Sequence, residues 1–129
     1  MSDKPKKILV VEDDSDYRSL IVDRLVASGF KVLEAPDGKT GLEIALKEHP
    51  DLVLLDILMP KMTGMEVMEK LREDDWGKNA SISFLTNVDP DDTMIDKLSR
   101  YKPGYYFLKK AEMLPEEMVA KIKEHLYKN

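Results

Sequence analysis

Asp-Leu-Val-Leu-Leu-Asp-Ile-Leu-Met-Pro-Lys-Met-Thr-Gly, residues 51–64, is the stretch on which the reading of the fold turns. Leu52–Leu55 is an apolar run too short for a helix and without polar alternation, the pattern of a strand buried on both faces of a parallel sheet. It runs directly into an acid, Asp56. Pro60 and Gly64 then shape a loop that aims this acid. Thr63 with Glu66 three residues on marks the start of a helix.

The same unit recurs on both sides. Other short apolar runs are Ile8–Val11, Val32–Leu33, Ile82–Leu85 and Tyr106–Leu108. Amphipathic segments separate them: the first repeats Tyr17, Leu20, Ile21, Leu25 and Val26, the last Met118, Val119, Ile122 and Leu126. Asp14 or Ser15 caps the first helix, Asp37 precedes Gly38, and Asp89 precedes Pro90 as helix starts. Pro115 suits a first helical turn, and Gly29 ends the first helix with φ > 0. A strict βα alternation, five times over, implies a parallel sheet with helices on both faces. The expectation is one open α/β sandwich over residues 7–129, preceded by a flexible polar lead, residues 1–6.

The 129 residues suffice to bury a core without disulfides or a structural metal. A net charge of −5 argues against binding a nucleic-acid backbone. The chain has no cysteine, which excludes disulfides, thiolate zinc sites and cysteine nucleophiles. No apolar run approaches the roughly 20 residues of a membrane span, and a cytoplasmic protein is the simplest reading. Gly-x-Gly-x-x-Gly and Gly-Lys-Ser/Thr loops are both absent, so nucleotide-binding readings fail.

In sheets of this kind, function gathers at the C-terminal ends of the strands. There Glu12 and Asp13 follow the first run, Asp56 the third, Thr86 the fourth and Lys109 the fifth. Two carboxylates about 5 Å apart repel by roughly 3 kcal/mol at an effective dielectric near 20. The cluster therefore calls for a cation, and hard oxygen ligands select Mg²⁺ or Mn²⁺. A lysine and a hydroxyl beside such a site suit a phosphoryl group, whose transfer needs mostly positioning and charge neutralisation. The alternatives are ordinary ones: a helix-capping or surface acid at Asp56, a solvated acidic run at 12–14, a strand threonine, a surface lysine and a core aromatic at Tyr106. His49 and His125 fall in last helical turns, where a cation suits the dipole. The methionines around the third helix read as core filling, and Trp76 as local packing.

These residues resemble the receiver domain of two-component response regulators. The resemblance covers Lys7 to Asn129 and rests on Ile-Leu-Val-Val-Glu-Asp-Asp at 8–14, the 51–64 stretch, the Thr86 strand end and Tyr106-Phe107-Leu108-Lys109. It implies a flavodoxin-like (βα)5 three-layer sandwich with strand order 2-1-3-4-5. It implies a Mg²⁺ site made by Asp13, Asp56 and the backbone carbonyl of Leu58, with Glu12 acting through a bound water. Asp56 becomes the nucleophile that takes phosphate from a histidine kinase or a phosphotransfer protein. Thr86 and Lys109 contact that phosphate. Thr86 and Tyr106 form the switch, read out by a downstream protein, or by a second copy of the chain, at the face of helix 4, strand 5 and helix 5. Such a protein is no enzyme beyond its own phosphorylation and dephosphorylation.

Departures from the family pattern concentrate on the output side. Glu12 stands where many members have Asp. Lys110 follows Lys109 where a proline is usual, so a rearranged loop is expected there. Asn87 replaces a small residue, and Lys102-Pro103-Gly104 replaces a Gly-Ala stretch. Leu58 and Val88, two positions after Asp56 and Thr86, cannot orient a water, which predicts a long-lived phosphoryl group. A haloacid-dehalogenase-like phosphatase would want an Asp where Leu58 stands. A phosphorylation-independent interaction module is opposed by the retained acids, Thr86 and Lys109. The chain reads as a single-domain regulator or a fragment of a longer protein, and the Met-Ser-Asp start and Tyr-Lys-Asn end favour the first.

Overall fold

A computed structural model describes residues 4–87, 89–100 and 106–127; Val88, Lys102-Pro103-Gly104, the first three residues of the polar lead and the side chain of Tyr106 lie outside the described residues. The elements alternate as the sequence implies: β1 (Lys7–Val11), α1 (Ser15–Ala27), β2 (Lys31–Ala35), α2 (Gly38–Glu48), β3 (Leu52–Leu55), α3 (Gly64–Arg72), β4 (Ile82–Thr86), α4 (Asp92–Ser99), β5 (Tyr106–Lys109) and α5 (Pro115–Tyr127). A 3-10 turn, Gly77–Asn79, joins α3 to β4. The five strands form one sheet in the order β2-β1-β3-β4-β5, every neighbouring pair parallel. This is the flavodoxin-like sandwich that the resemblance implied.

The uninterrupted apolar runs follow from this architecture. Successive strand residues face opposite sides of the sheet, and both sides are covered. Leu9, Val11, Val53, Leu55, Ile82 and Phe84 pack with α2, α3 and α4. Ile8, Val10, Leu52, Leu54, Leu85 and Leu108 pack with α1 and α5. Strand β2 is at the edge, with Lys31 and Glu34 exposed, and so its apolar run is the shortest.

Local signals act largely where the sequence places them. Asp14 caps α1, accepting from the amides of Asp16 and Tyr17. Asp37 caps α2 through Thr40 N at 2.7 Å, and Thr63 and Glu66 form a capping box at α3. Gly29 has φ +95° just beyond α1. Met59, Met65 and Met68 are buried, as core filling requires. The Trp76 ring stacks on His49 at 4.5 Å, and His49 ends α2 in a left-handed conformation at φ +48°.

Two expectations need correction. Helix α4 starts at Asp92, not beside Pro90, because Asp91 supplies the cap, accepting from Met94 N at 2.9 Å, while the Asp89 carboxylate is engaged by a lysine. In α1 the buried stripe is Ile21 and Leu25 with Tyr17 beside them. Leu20 and Val26, read as part of that stripe, are 37% and 55% exposed, since each is one residue off the four-residue spacing.

Candidate functional site

Strands β1 and β3 are adjacent, and so the residues that follow them meet at one rim. The Asp56 amide donates to Val11 O at 3.0 Å and the Glu12 amide to Ala35 O at 3.1 Å, which extends the ladder to both acids. Glu12, Asp13 and Asp56 each offer a carboxylate oxygen, and these oxygens all lie within 4.8 Å of one another. Glu12 and Asp56 are buried, whereas Asp13 is exposed.

The Asp56 carboxylate is held from two sides. The Leu58 amide donates to Oδ1 at 3.3 Å, and the Lys110 ammonium donates to Oδ2 at 3.2 Å. The loop between β3 and α3 is anchored by Gly64, whose amide donates to Ile57 O at 2.9 Å. A Cβ on Gly64 would come within 2.2 Å of the Asp56 carbonyl oxygen, so α3 can approach the acid this closely only with a glycine there.

Glu12 accepts from the Asp14 amide at 3.1 Å through Oε2, and Lys110 pairs with its Oε1. Burial, offset in part by Lys110 and reinforced by the neighbouring Asp56, pushes the Glu12 carboxyl up to about 7. Burial opposes the charge of Lys110, but Glu12 and Asp56 outweigh it and hold the ammonium above the ordinary lysine value. The Tyr17 ring lies under the same ammonium, 5.0 Å from nitrogen to centroid. Burial, with the fields of Glu12 and Asp56, pushes the Tyr17 phenol up to about 12. An acidic trio with one buried, destabilised carboxylate fits a divalent cation, which would relieve the repulsion that Lys110 relieves here.

The lysine at this site is not the one expected. Lys109 turns away: its ammonium is 2.7 Å from Asp89 Oδ1 and 3.4 Å from Glu112 Oε1. Alternation along β5 explains the difference. Phe107 and Lys109 share the side of α3 and α4, where Phe107 stacks on Phe84 at 5.3 Å; Leu108 and Lys110 share the side of α1 and α5. Only the second side overlooks Glu12 and Tyr17. Alternation was the available signal, and it separates two consecutive lysines. Tyr17 carried no such signal, because its spacing marks it only as a packing residue of α1.

Thr86 ends β4 fully buried, and its carbonyl accepts from the Lys110 amide at 3.0 Å. Leu58 is 61% exposed beside Asp56. Tyr106 begins β5, paired in register with Ser83. Among the described residues no helix is long and apolar enough to cross a membrane.

Comparison with known proteins agrees with the fold. The family model of the response regulator receiver domain matches residues 8–123. The chain is 30% identical over 119 residues to the DNA-binding dual master transcriptional regulator RpaA of Synechocystis, covering 91% of this chain and 47% of that protein. It is 44% identical over 68 residues to the alkaline phosphatase synthesis transcriptional regulatory protein PhoP of Bacillus subtilis, covering 53% of this chain and 28% of that protein. The chain thus spans less than half the length of these relatives. Chemotaxis protein CheY4 of Vibrio cholerae superposes with a TM-score of 0.82 at 26% identity, over 94% of this chain and 98% of that one. The receiver domain of sensor histidine kinase PA1611 from Pseudomonas aeruginosa, solved with a coordinated magnesium ion, shares the fold with a TM-score of 0.79 at 20% identity, over 95% and 98% of the two chains.

Proposed function

The chain belongs to the response regulator receiver domain family, and on that premise we propose that Asp56 accepts a phosphoryl group from the phosphohistidine of a histidine kinase or phosphotransfer protein. The observation that carries this reading is the juxtaposition of a buried Asp56 with Glu12, Asp13 and one lysine ammonium at the rim of the sheet.

Each residue then has a task. The Oδ2 oxygen of Asp56 attacks phosphorus as the P–N bond to the donor imidazole breaks, and the electron pair leaves with that nitrogen. Lys110, rather than Lys109, moves from the two carboxylates to a phosphoryl oxygen and carries its charge there. Thr86 donates its hydroxyl to the same group. The Leu58 amide orients Asp56 through Oδ1, leaving the other oxygen to react. Glu12, Asp13 and Asp56 would hold Mg²⁺, with the Leu58 carbonyl as a further ligand; bound there, the ion neutralises charge on the carboxylates and the transferring phosphoryl group. Thr86 and Tyr106 would pass the change to the face of α4, β5 and α5 for a partner to read.

Transfer from a phosphorylated histidine kinase or phosphotransfer protein tests the proposal. The label that moves to this chain should be released by hydroxylamine, as an acyl phosphate is. A label stable to hydroxylamine would place the phosphate on another kind of residue.

A further inference from the structure

We propose that Asn87 is a positioning residue: its carboxamide ties the turn after β5 to the end of β4 and so sets where the Lys110 ammonium stands. Its consequence for phosphoryl transfer rests on the reading above; the positioning itself does not.

Three hydrogen bonds fix this turn. The Lys110 amide donates to Thr86 O at 3.0 Å, the Glu112 amide to Lys109 O at 3.1 Å, and the Ala111 amide to Asn87 Oδ1 at 2.9 Å. The first continues the parallel ladder and the second is local to the turn. The third ties the turn to a side chain of the residue just beyond β4. An amide N–H can only donate, and so the oxygen end of the carboxamide must face Ala111. Ala111 has no ring to fix its φ, and the Asn87 bond supplies an external restraint at that point.

The restraint matters because of what Lys110 carries. Its ammonium sits at the end of a flexible side chain, 3.2 Å from Asp56 Oδ2, against Glu12 Oε1 and 5.0 Å from the Tyr17 centroid. A small rotation of the backbone at 110–111 displaces a group at that distance by more than a hydrogen-bond tolerance. The same link joins Thr86 and Lys110, the two residues assigned to the phosphoryl oxygens, so that a displacement of the β4 end carries the β5 turn with it.

The test is amine acylation of the whole chain under trace conditions, followed residue by residue by peptide mass, with exposed Lys70 on α3 as the internal reference. Asn87 is itself exposed, and melting curves verify that its variants fold. In Asn87→Ala, Lys110 should be acylated faster than in the parent by roughly two- to ten-fold, the range set by one hydrogen bond of ordinary net strength. Asn87→Asp keeps an acceptor for the Ala111 amide and should return the parent rate. An unchanged Lys110 rate in Asn87→Ala, or equal rates in the alanine and aspartate variants, would overturn the proposal. With Mg²⁺ and a small phosphodonor, Asn87→Ala should lower the maximal phosphorylation rate while leaving the Mg²⁺ half-saturation unchanged. A parent that takes up no phosphate would defeat the phosphoacceptor reading, and the acylation rates would still decide the role of Asn87.

Discussion

The Lys110 ammonium lies 3.2 Å from the Asp56 carboxylate, whereas its neighbour Lys109 is drawn to Asp89 on the other side of β5. Consecutive lysines thus have separate environments, and they should behave differently. Replacing Lys110 with alanine should slow phosphorylation of Asp56 on the order of 100-fold, the usual cost of one preorganised charge-stabilising group. Lys109→Ala should stay within about two-fold, because its ammonium pairs with Asp89 and Glu112 and not with Asp56. Rates with a small phosphodonor decide between them, and the reverse order would return the role to Lys109.

Much of this was legible in the sequence. Leu52–Leu55 coincides with β3 because this strand is covered on both faces and apolar throughout, so its ends are sharp. The acids were legible for the same reason: Glu12 and Asp56 are the first polar residues after such runs, and Asp13 follows Glu12 directly. The lysine was not, because Lys109 ends β5 and Lys110 follows at once, and only alternation against packed helices separates them. The start of α4 is not legible in the sequence, because Asp89, Asp91 and Asp92 all resemble caps and a long-range pairing of Asp89 with Lys109 leaves Asp91 as the cap. Asn87 could be flagged as unusual from sequence, but its hydrogen-bond partner lies 24 residues away.

Gly64 should tolerate no side chain. A methyl there would meet the Asp56 carbonyl oxygen at 2.2 Å, so either α3 or the Asp56 loop must shift. Gly64→Ala should cost about 1–3 kcal/mol in stability, the range for overpacking. Denaturant unfolding measures it, and an unchanged midpoint would show that the loop relaxes freely.

Stability without metal should depend on pH through Glu12. Burial raises its carboxyl from 4.5 to about 7, and so the folded protein keeps a proton that the unfolded chain has released. The stabilisation is fully present below the unfolded value and is lost as pH rises through about 7. Melting in chelator from pH 4 to 8 should show this decline, and Glu12→Gln should flatten it. A parent curve that rises over the same window would refute the assignment.

Leu58 should set the phosphoryl lifetime. It stands exposed two residues after Asp56 and cannot hydrogen-bond an attacking water. Leu58→Asn should lose phosphate several-fold faster than the parent, followed as the decay of the phosphorylated species after donor removal. An equal or slower decay would count against the idea.

The most direct measurement is intact mass after incubation with Mg²⁺ and a small phosphodonor, beside an Asp56→Asn control. A single phosphoryl adduct on the parent and none on the control is the predicted result. An adduct that persists in the control, or none on a folded parent shown to bind Mg²⁺, would contradict the assignment of Asp56 as the phosphoacceptor.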